Sequence, residues 1–255
     1  MIFIFKVVKI NVSLIILFLV TGISFCGSII AVGTSLSERK LPIYSVETQD
    51  KKIAVTFDAA WEADDTDQLI AILKKHNAKA TIFCLGDWAK KNPQAVLKFH
   101  KAGHEIGNHS YSHPLFSRVS GEKTKEELQL CNEEIKKITG TTPKICRAPS
   151  GDYNNESLEI CEKMNMKMIQ WDCDSLDWQK LSVDEMYNRI TSKVQNGSIL
   201  LFHNGVENTP EALDKILVKL EKDGYEFVTV SELIYWDDYE IDHTGRQIKT
   251  PIINT

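Results

Sequence analysis

Two histidines four residues apart are the side chains of this sequence best suited to hold a metal ion. His109 and His113 lie in the segment NHSYSHP. Imidazole nitrogens are ligands that zinc and neighbouring divalent metals prefer. On a helical turn, the four-residue spacing places both rings on one face, within reach of a single cation. The pair therefore predicts a two-histidine metal clip, with a chance spacing as the alternative for this segment alone.

Other reactive side chains follow short apolar runs. Asp58 ends the run IAVTFD, His203 follows ILLF, and Asp177 stands before Trp178 shortly after another such run. Taken singly, each has an ordinary structural alternative, such as a helix cap or a core histidine. Because reacting groups of parallel α/β folds gather at the carboxyl ends of strands, the ordered set predicts one shared site.

A cation and a stiff turn follow a further short apolar segment. Arg147 precedes the residues Ala148, Pro149, Ser150 and Gly151. Proline restricts the backbone and glycine permits positive φ, so this turn can direct backbone N–H groups at a ligand. An ordinary surface turn is the alternative for this segment alone.

The elements that must position these residues alternate along the chain. Apolar, β-branched runs near 53–57, 80–85, 145, 167–171, 198–202 and 226–230 are separated by amphipathic stretches near 64–76, 87–102, 121–139, 155–165, 182–195 and 210–223. Alternation repeated about six times predicts parallel strands covered by helices, as a barrel or a doubly wound sheet. Ser182 and Glu185 have the spacing of a capping box.

Composition excludes several classes of protein. Of the 255 residues, 43% are hydrophobic and 25% charged, which is ordinary for a globular protein and excludes a disordered or fibrous chain. The formal net charge is −5. Without a basic field the chain lacks an electrostatic attraction for a phosphate backbone, so we expect no nucleic-acid partner.

The N-terminus predicts contact with a membrane. Residues 10–37 contain no charged side chain. This uncharged segment is long enough for one helix across a bilayer. We expect residues 1–33 to form a single-pass anchor with the rest of the chain extracytoplasmic. The alternative is a secreted protein, because Ala31, Val32 and Gly33 resemble a signal-peptide cleavage site.

The rest of the chain divides into three predicted parts. Residues 34–51 are expected to be a spacer, 52–235 the folded domain, and 236–255 a loose polar tail. Five of the six cysteines lie beyond the leader, without a C-x-x-C pair. We interpret these cysteines as small buried hydrophobic residues. Disulfides are the alternative if the chain lies in an exposed compartment.

The ordered residues Asp58, His109 with His113, Arg147, Asp177 with Trp178, and His203 resemble the NodB-homology polysaccharide deacetylases, carbohydrate esterase family four. The resemblance covers roughly residues 52–235. It implies a distorted parallel (β/α) barrel with about seven strands. It also implies a hydrolase that removes N-acetyl groups from a polysaccharide such as peptidoglycan or a chitin-like polymer.

The resemblance also implies a role for each matching residue. His109 and His113 would bind a divalent metal, usually zinc. Asp58 would be the general base, held by Arg147. His203 would be the general acid, oriented by Asp177.

Further matching positions concern the substrate. Trp178 and Leu201 match apolar walls around the acetyl methyl group, and Asp174 matches an acidic residue of the same motif. Ser150 stands where the family commonly has an aromatic residue, a change expected in the wall of the sugar groove. Its backbone N–H, or one near Asp58, would meet charge that develops on the acyl oxygen.

One departure from the family pattern affects the metal. Ala59 occupies the position of the acidic third ligand, and an alanine side chain coordinates nothing. Glu62, Asp64 or Asp65 would have to substitute, or water would fill the position.

Three functions remain open from the sequence. The first is a monomeric, metal-dependent polysaccharide deacetylase. The second is a glycan-binding module that has lost its metal and its activity. The third is a hydrolase of another amide or ester on the same scaffold.

Overall fold

The computed structural model describes residues 38–250, and residues from Arg39 onward form one compact unit. The predicted anchor or signal segment, 1–33, lies outside the described residues. Within 38–250, none of the helices combines the length and the apolar character that crossing a bilayer requires.

Short strands alternate with helices along the described chain. The strands are β1 (Ser45–Val46), β2 (Lys52–Ala59), β3 (Ala80–Cys84), β4 (Glu105–Asn108), β5 (Ile145–Cys146), β6 (Lys167–Met168), β7 (Cys173–Asp174), β8 (Ile199–His203), β9 (Glu226–Val228), β10 (Tyr239–Ile241) and β11 (Arg246–Lys249).

The helices cover the sheet between successive strands. They are α1 (Thr66–Lys75), α2 (Gly86–Lys91), α3 (Pro93–Lys101), α4 (Gly121–Thr139), α5 (Asn155–Lys163), α6 (Val183–Thr191), α7 (Thr209–Lys222) and α8 (Val230–Leu233). Ser182 and Glu185 form the predicted capping box of α6. The helix expected over 87–102 divides at Asn92, because Pro93 begins a new helix and cannot continue the previous one.

The main sheet is parallel and runs in the order β6-β5-β4-β3-β2-β8-β7, with β9 also paired to β2. It curls into a half-barrel, which confirms the predicted distorted parallel barrel. Parallel strands β4 and β7 were not expected, because they are short and lack a distinct apolar run.

Alternation along β2 separates the core from the site. Ile53, Val55 and Phe57 are fully buried in the apolar cluster shared with the helices. Thr56 and Asp58 face the opposite side of the sheet, where both contact Arg147. Period-two alternation therefore sends the apolar residues to the helix layer and the polar ones into the barrel.

The predicted spacer over 34–51 is wrong for its second half. Ile43 and Val46 are buried, and Ile43 bridges to Ile169 in the parallel sense. Ser45 bridges to Ser198. These two bridges attach the segment to residues next to β6 and β8, so the fold begins before residue 52.

The predicted loose tail over 236–255 is also wrong where the structure describes it. Strands β10 and β11 pair antiparallel, and β11 pairs parallel with β1. Gln247 is fully buried, exchanging two hydrogen bonds with the backbone of Tyr235. The polar composition of this segment gives no sign of a sheet. The sheet depends on pairing with strand β1, which lies about two hundred residues earlier in the chain.

Candidate active site

Asp58 and His203 are neighbours in the sheet. They are register partners at the carboxyl ends of β2 and β8. Parallel pairing therefore brings these two side chains, which are far apart in sequence, to the same edge of the barrel.

Arg147 holds the carboxylate of Asp58 inside the barrel. Its Nη1 donates to Asp58 Oδ1 at 2.8 Å and to Thr56 Oγ1 at 2.9 Å, while Nη2 donates to the Gln170 carbonyl at 3.0 Å. The guanidinium also lies 4.2 Å from the centre of the Phe83 ring. Arg147 is fully buried, so Asp58 supplies the counter-charge that its burial requires.

Asp58 is kept ionised by its neighbours. Burial of the carboxyl opposes ionisation, but His109, which is protonated only at acid pH, the Arg147 guanidinium and His203 together outweigh burial and lower the pKa of Asp58. A buried carboxylate that stays charged can accept a proton, which suits it to act as a base.

His109 presents a free nitrogen toward Asp58. Its Nδ1 lies 3.0 Å from the Arg147 carbonyl oxygen, which only accepts, so Nδ1 donates and Nε2 carries the lone pair. Burial lowers the pKa of His109 to about 4, which keeps the ring neutral. Nε2 lies 3.5 Å from Asp58 Oδ2. Two acceptors therefore face each other, an arrangement that fits a cation bound beside them.

His113 reaches the same place from a loop. The predicted helical turn is wrong, because residues 109–115 are irregular and both Ser110 and His113 have positive φ, 69° and 66°. The two imidazole centroids still lie 5.2 Å apart. The backbone reversal, rather than a helical face, brings the histidines together.

Glu127 of α4 fastens this loop. It is 1% exposed, and its Oε2 accepts from the backbone N–H groups of Tyr111 and Ser112 at 3.0 and 2.7 Å. Oε1 accepts from the Ser112 hydroxyl and pairs with Lys123. The pattern of the sequence did not single out this carboxylate, since it resembles its exposed neighbours on an acidic helix.

His203 is coupled to a buried carboxylate. Its Nδ1 lies 2.7 Å from Asp177 Oδ1 and its backbone N–H donates to Oδ2 at 2.7 Å. Thr209 and the Trp178 backbone also donate to Asp177, which is fully buried. Burial alone would lower the pKa of His203, but Asp177, with smaller effects of Asp58 and Asp174, raises it. His203 is therefore suited to carry a proton.

One cavity of about 600 Å³ is lined by Asp58, His109, His113 and His203. Its other lining residues include the predicted positions Ser150, Asp174, Trp178 and Leu201. Ser150 has φ 55° and lies in the wall of the cavity.

Two tryptophans of this cavity were not identified from the sequence. Trp61 is 46% exposed, and its ring lies 4.8 Å from that of His203. Trp171 donates from Nε1 to Asp174 Oδ2 and lies 5.3 Å from the Arg147 guanidinium. Trp61 lies in an irregular loop, where no periodic pattern of residues predicts which way a side chain points.

Within residues 38–250, neither Glu62, Asp64 nor Asp65 reaches the cavity to replace the acidic third ligand. Ala59 is fully buried with the apolar cluster, and Glu62, Asp64 and Asp65 are not among the residues that line the cavity. Asp65 instead accepts from the Gly205 N–H at 2.7 Å. Among residues 38–250, no three His, Cys, Asp or Glu side chains converge closely enough to hold a metal without water or substrate.

Comparison with known proteins identifies the family of this chain. A polysaccharide deacetylase profile matches residues 45–169. The peptidoglycan-N-acetylglucosamine deacetylase of Bacillus cereus is 33% identical over 186 residues, which cover 71% of this chain and 68% of that protein. The Bacillus subtilis proteins YlxY and peptidoglycan-N-acetylmuramic acid deacetylase PdaC are 35% and 34% identical, over 76% and 74% of this chain. The chain spans only 60% and 40% of their lengths.

Solved structures give the same relationship. A Bacillus anthracis protein described as a CE4 family pseudoenzyme superposes with a TM-score of 0.74 at 32% identity, covering 81% of this chain and 72% of that one. A peptidoglycan N-acetylglucosamine deacetylase superposes with a TM-score of 0.73 at 32% identity, covering 75% of this chain and 92% of that one. The chain therefore belongs to the polysaccharide deacetylase family, carbohydrate esterase family 4.

Proposed function

We propose that this chain is a metal-dependent N-deacetylase of an N-acetylated polysaccharide, with peptidoglycan as the leading substrate. The observation that carries the proposal is the complete acid-base pair at one edge of the barrel. Asp58, ionised and held by Arg147, lies in register with His203, which Asp177 orients. Binding a glycan requires neither group, whereas hydrolysing an amide requires both.

The proposed reaction uses each residue at a stated atom. The Asp58 carboxylate takes a proton from the attacking water, and the Ser150 backbone N–H stabilises the developing charge on the acyl oxygen. Protonated His203 then donates a proton to the departing sugar amine, while Asp177 keeps the imidazole in place. Acetate and a free amine are the products.

The metal in this proposal is held by His109 and His113, with zinc as the expected ion. When bound, a divalent metal supplies positive charge that polarises the amide carbonyl and acidifies the water. The neutral His109 with its free Nε2 fits this role. We propose that water takes the position left by Ala59, which implies weaker binding than a third protein ligand would give.

The test is acetate release from peptidoglycan and from N-acetylglucosamine oligomers by the full chain. Release of acetate from either substrate supports a deacetylase, and the preferred polymer identifies the substrate class. The second candidate, a non-catalytic glycan-binding module, is favoured by Ala59 and the incomplete ligand set among the described residues. Saturable glycan binding without acetate release, even with added zinc, would decide for the module.

We also propose that the leader anchors a monomeric catalytic domain on the outer face of the cell membrane. The support is the uncharged segment 10–37. Recovery of the intact chain from washed membranes supports an anchor, and recovery from the medium with a new N-terminus near 34 supports secretion.

We expect Asp177→Asn to move the high-pH limb of activity. Activity that needs protonated His203 falls as pH rises through the pKa of His203. The substitution removes the charge that raises this pKa while burial still lowers it, so the limb shifts to lower pH. We expect kcat to fall roughly 10²-fold. The control is the exposed Asp184→Asn. A high-pH limb that stays in place would contradict the assignment of His203.

We expect Glu127→Ala to weaken zinc binding. Loss of its hydrogen bonds releases the loop that carries His113, and such supporting residues typically contribute roughly 10–100-fold in metal affinity. Competition with a chromophoric chelator measures the effect. Glu126→Ala is the matched control, since Glu126 lies on the same helix and pairs with the exposed Lys123. Equal zinc affinity in both variants would show that Glu127 does not position the clip.

We expect Trp178→Ala to raise KM about tenfold, with a smaller change in kcat. Trp178 is 51% exposed at the cavity, which leaves its ring face available to stack on a sugar. Loss of one such aromatic contact amounts to about 1.4 kcal/mol. Trp178→Phe keeps an aromatic face and should keep most of the affinity. An unchanged KM in the alanine variant would remove Trp178 from the substrate groove.

A further inference from the structure

Two buried cysteines near Arg147 lie in direct contact. The sulfurs of Cys146 in β5 and Cys161 in α5 are 3.1 Å apart. Both residues are at most 1% exposed, within an apolar cluster that also contains Leu158 and Met166. A disulfide has a sulfur separation of about 2.05 Å, so a shift of about 1 Å would bring these atoms to bonding distance.

The other described cysteines have different neighbours. Cys131 Sγ contacts the Cys84 carbonyl oxygen at 3.3 Å, and Cys173 Sγ contacts Ser198 Oγ at 3.8 Å. Cys84 Sγ contacts the Ile82 carbonyl oxygen. Within residues 38–250, Cys146 and Cys161 are the one pair whose sulfurs touch.

We propose that Cys146 and Cys161 form a disulfide when the chain folds in an oxidising compartment. The two thiols lose two protons and two electrons, and one sulfur-sulfur bond forms. The oxidant is another disulfide, of a thiol-disulfide oxidoreductase or of oxidised glutathione, which is reduced to two thiols. Because both sulfurs are buried in the folded chain, the exchange takes place before the cluster closes.

The bond would secure the segment that carries part of the site. Its loop encloses Arg147 and the Pro149–Gly151 turn, and it joins β5 to the helix that follows them. Arg147 adjoins Cys146 directly and holds Asp58. A crosslink that closes a loop of this length lowers the conformational entropy of the unfolded chain and therefore stabilises the folded state. This inference rests on the sulfur geometry and does not depend on the proposed deacetylase activity.

The test counts thiols in the full chain, which has six cysteines. The chain is refolded with reduced and oxidised glutathione, denatured, alkylated with N-ethylmaleimide and weighed. We expect two fewer alkylated thiols than in the dithiothreitol-treated chain. We also expect a proteolytic peptide pair joining Cys146 to Cys161 that is lighter by two hydrogens than the two free peptides.

Stability gives a second, independent reading. We expect the oxidised chain to unfold roughly 5–10 °C above the reduced one. Cys161→Ala should remove both the thiol loss and the thermal difference, whereas Cys173→Ala, outside the pair, should keep both. If Cys161→Ala does not fold, peptide mapping of the unmodified chain decides. Six alkylated thiols after oxidative refolding, or a crosslink between other cysteines, would overturn the proposal.

Discussion

Replacement of Asp58 by asparagine is expected to reduce deacetylation roughly 10³–10⁴-fold, because the amide cannot take a proton from water. The introduced amide keeps an oxygen that can accept from Arg147 Nη1, so the local hydrogen bond has a replacement. The effect should therefore lie mainly in kcat. Acetate release at saturating substrate measures it.

The matched control for this variant is Asp64→Asn. Asp64 is exposed and does not line the cavity, so its loss of charge should leave kcat within about twofold of the original chain. Circular dichroism confirms that both variants fold. Acetate release that is equal in the Asp58 and Asp64 variants would remove Asp58 from the chemistry.

Replacement of Arg147 by methionine is expected to destabilise the fold by about 3–5 kcal/mol, since it leaves the buried Asp58 charge without its partner. The methionine side chain fills similar space but donates no hydrogen bond to Asp58, Thr56 or the Gln170 carbonyl. Urea denaturation of the purified chain measures the free energy of unfolding. Activity should be lost as well, because the base loses its position.

The double variant Arg147→Met with Asp58→Asn separates the charge from the packing. Neutralising both partners removes the uncompensated charge, so we expect the double variant to regain a large part of the stability lost in Arg147→Met. If both variants are destabilised equally, the ion pair is not what makes Arg147 necessary. Neither result depends on which polymer is the substrate.

Much of the site could be predicted because parallel strands impose a common geometry. Asp58 and His203 each close an apolar run, and register pairing then brings two such ends together. The roles suggested for Arg147 and Asp177 came from the family resemblance. In the structure, these two residues contact Asp58 and His203 respectively.

What could not be predicted lies where the chain is irregular or pairs with distant segments. The loop from His109 to His113 depends on positive φ at Ser110 and His113 and on hydrogen bonds to Glu127 across from it. The spacing of residues in the sequence predicts neither the positive φ values nor the hydrogen bonds to Glu127. Trp61 enters the cavity from a loop for the same reason.

The ends of the described domain depend on distant partners in the same way. Ile43 belongs to a short apolar stretch within a mostly polar segment, and its burial depends on pairing with Ile169. Gln247 lies in a segment of polar composition, but its side-chain amide forms two hydrogen bonds with the backbone of Tyr235. Such long-range partners are set by tertiary packing rather than by local composition.

We propose that this barrel hydrolyses N-acetyl groups with a metal held by His109 and His113. The most direct measurement strips the full chain with a chelator, restores zinc in steps, and follows acetate release from peptidoglycan. We expect release to vanish on stripping, to return with zinc, and to stay absent in His109→Ala. Acetate release that survives stripping and persists in His109→Ala would show that hydrolysis does not need a metal on these histidines.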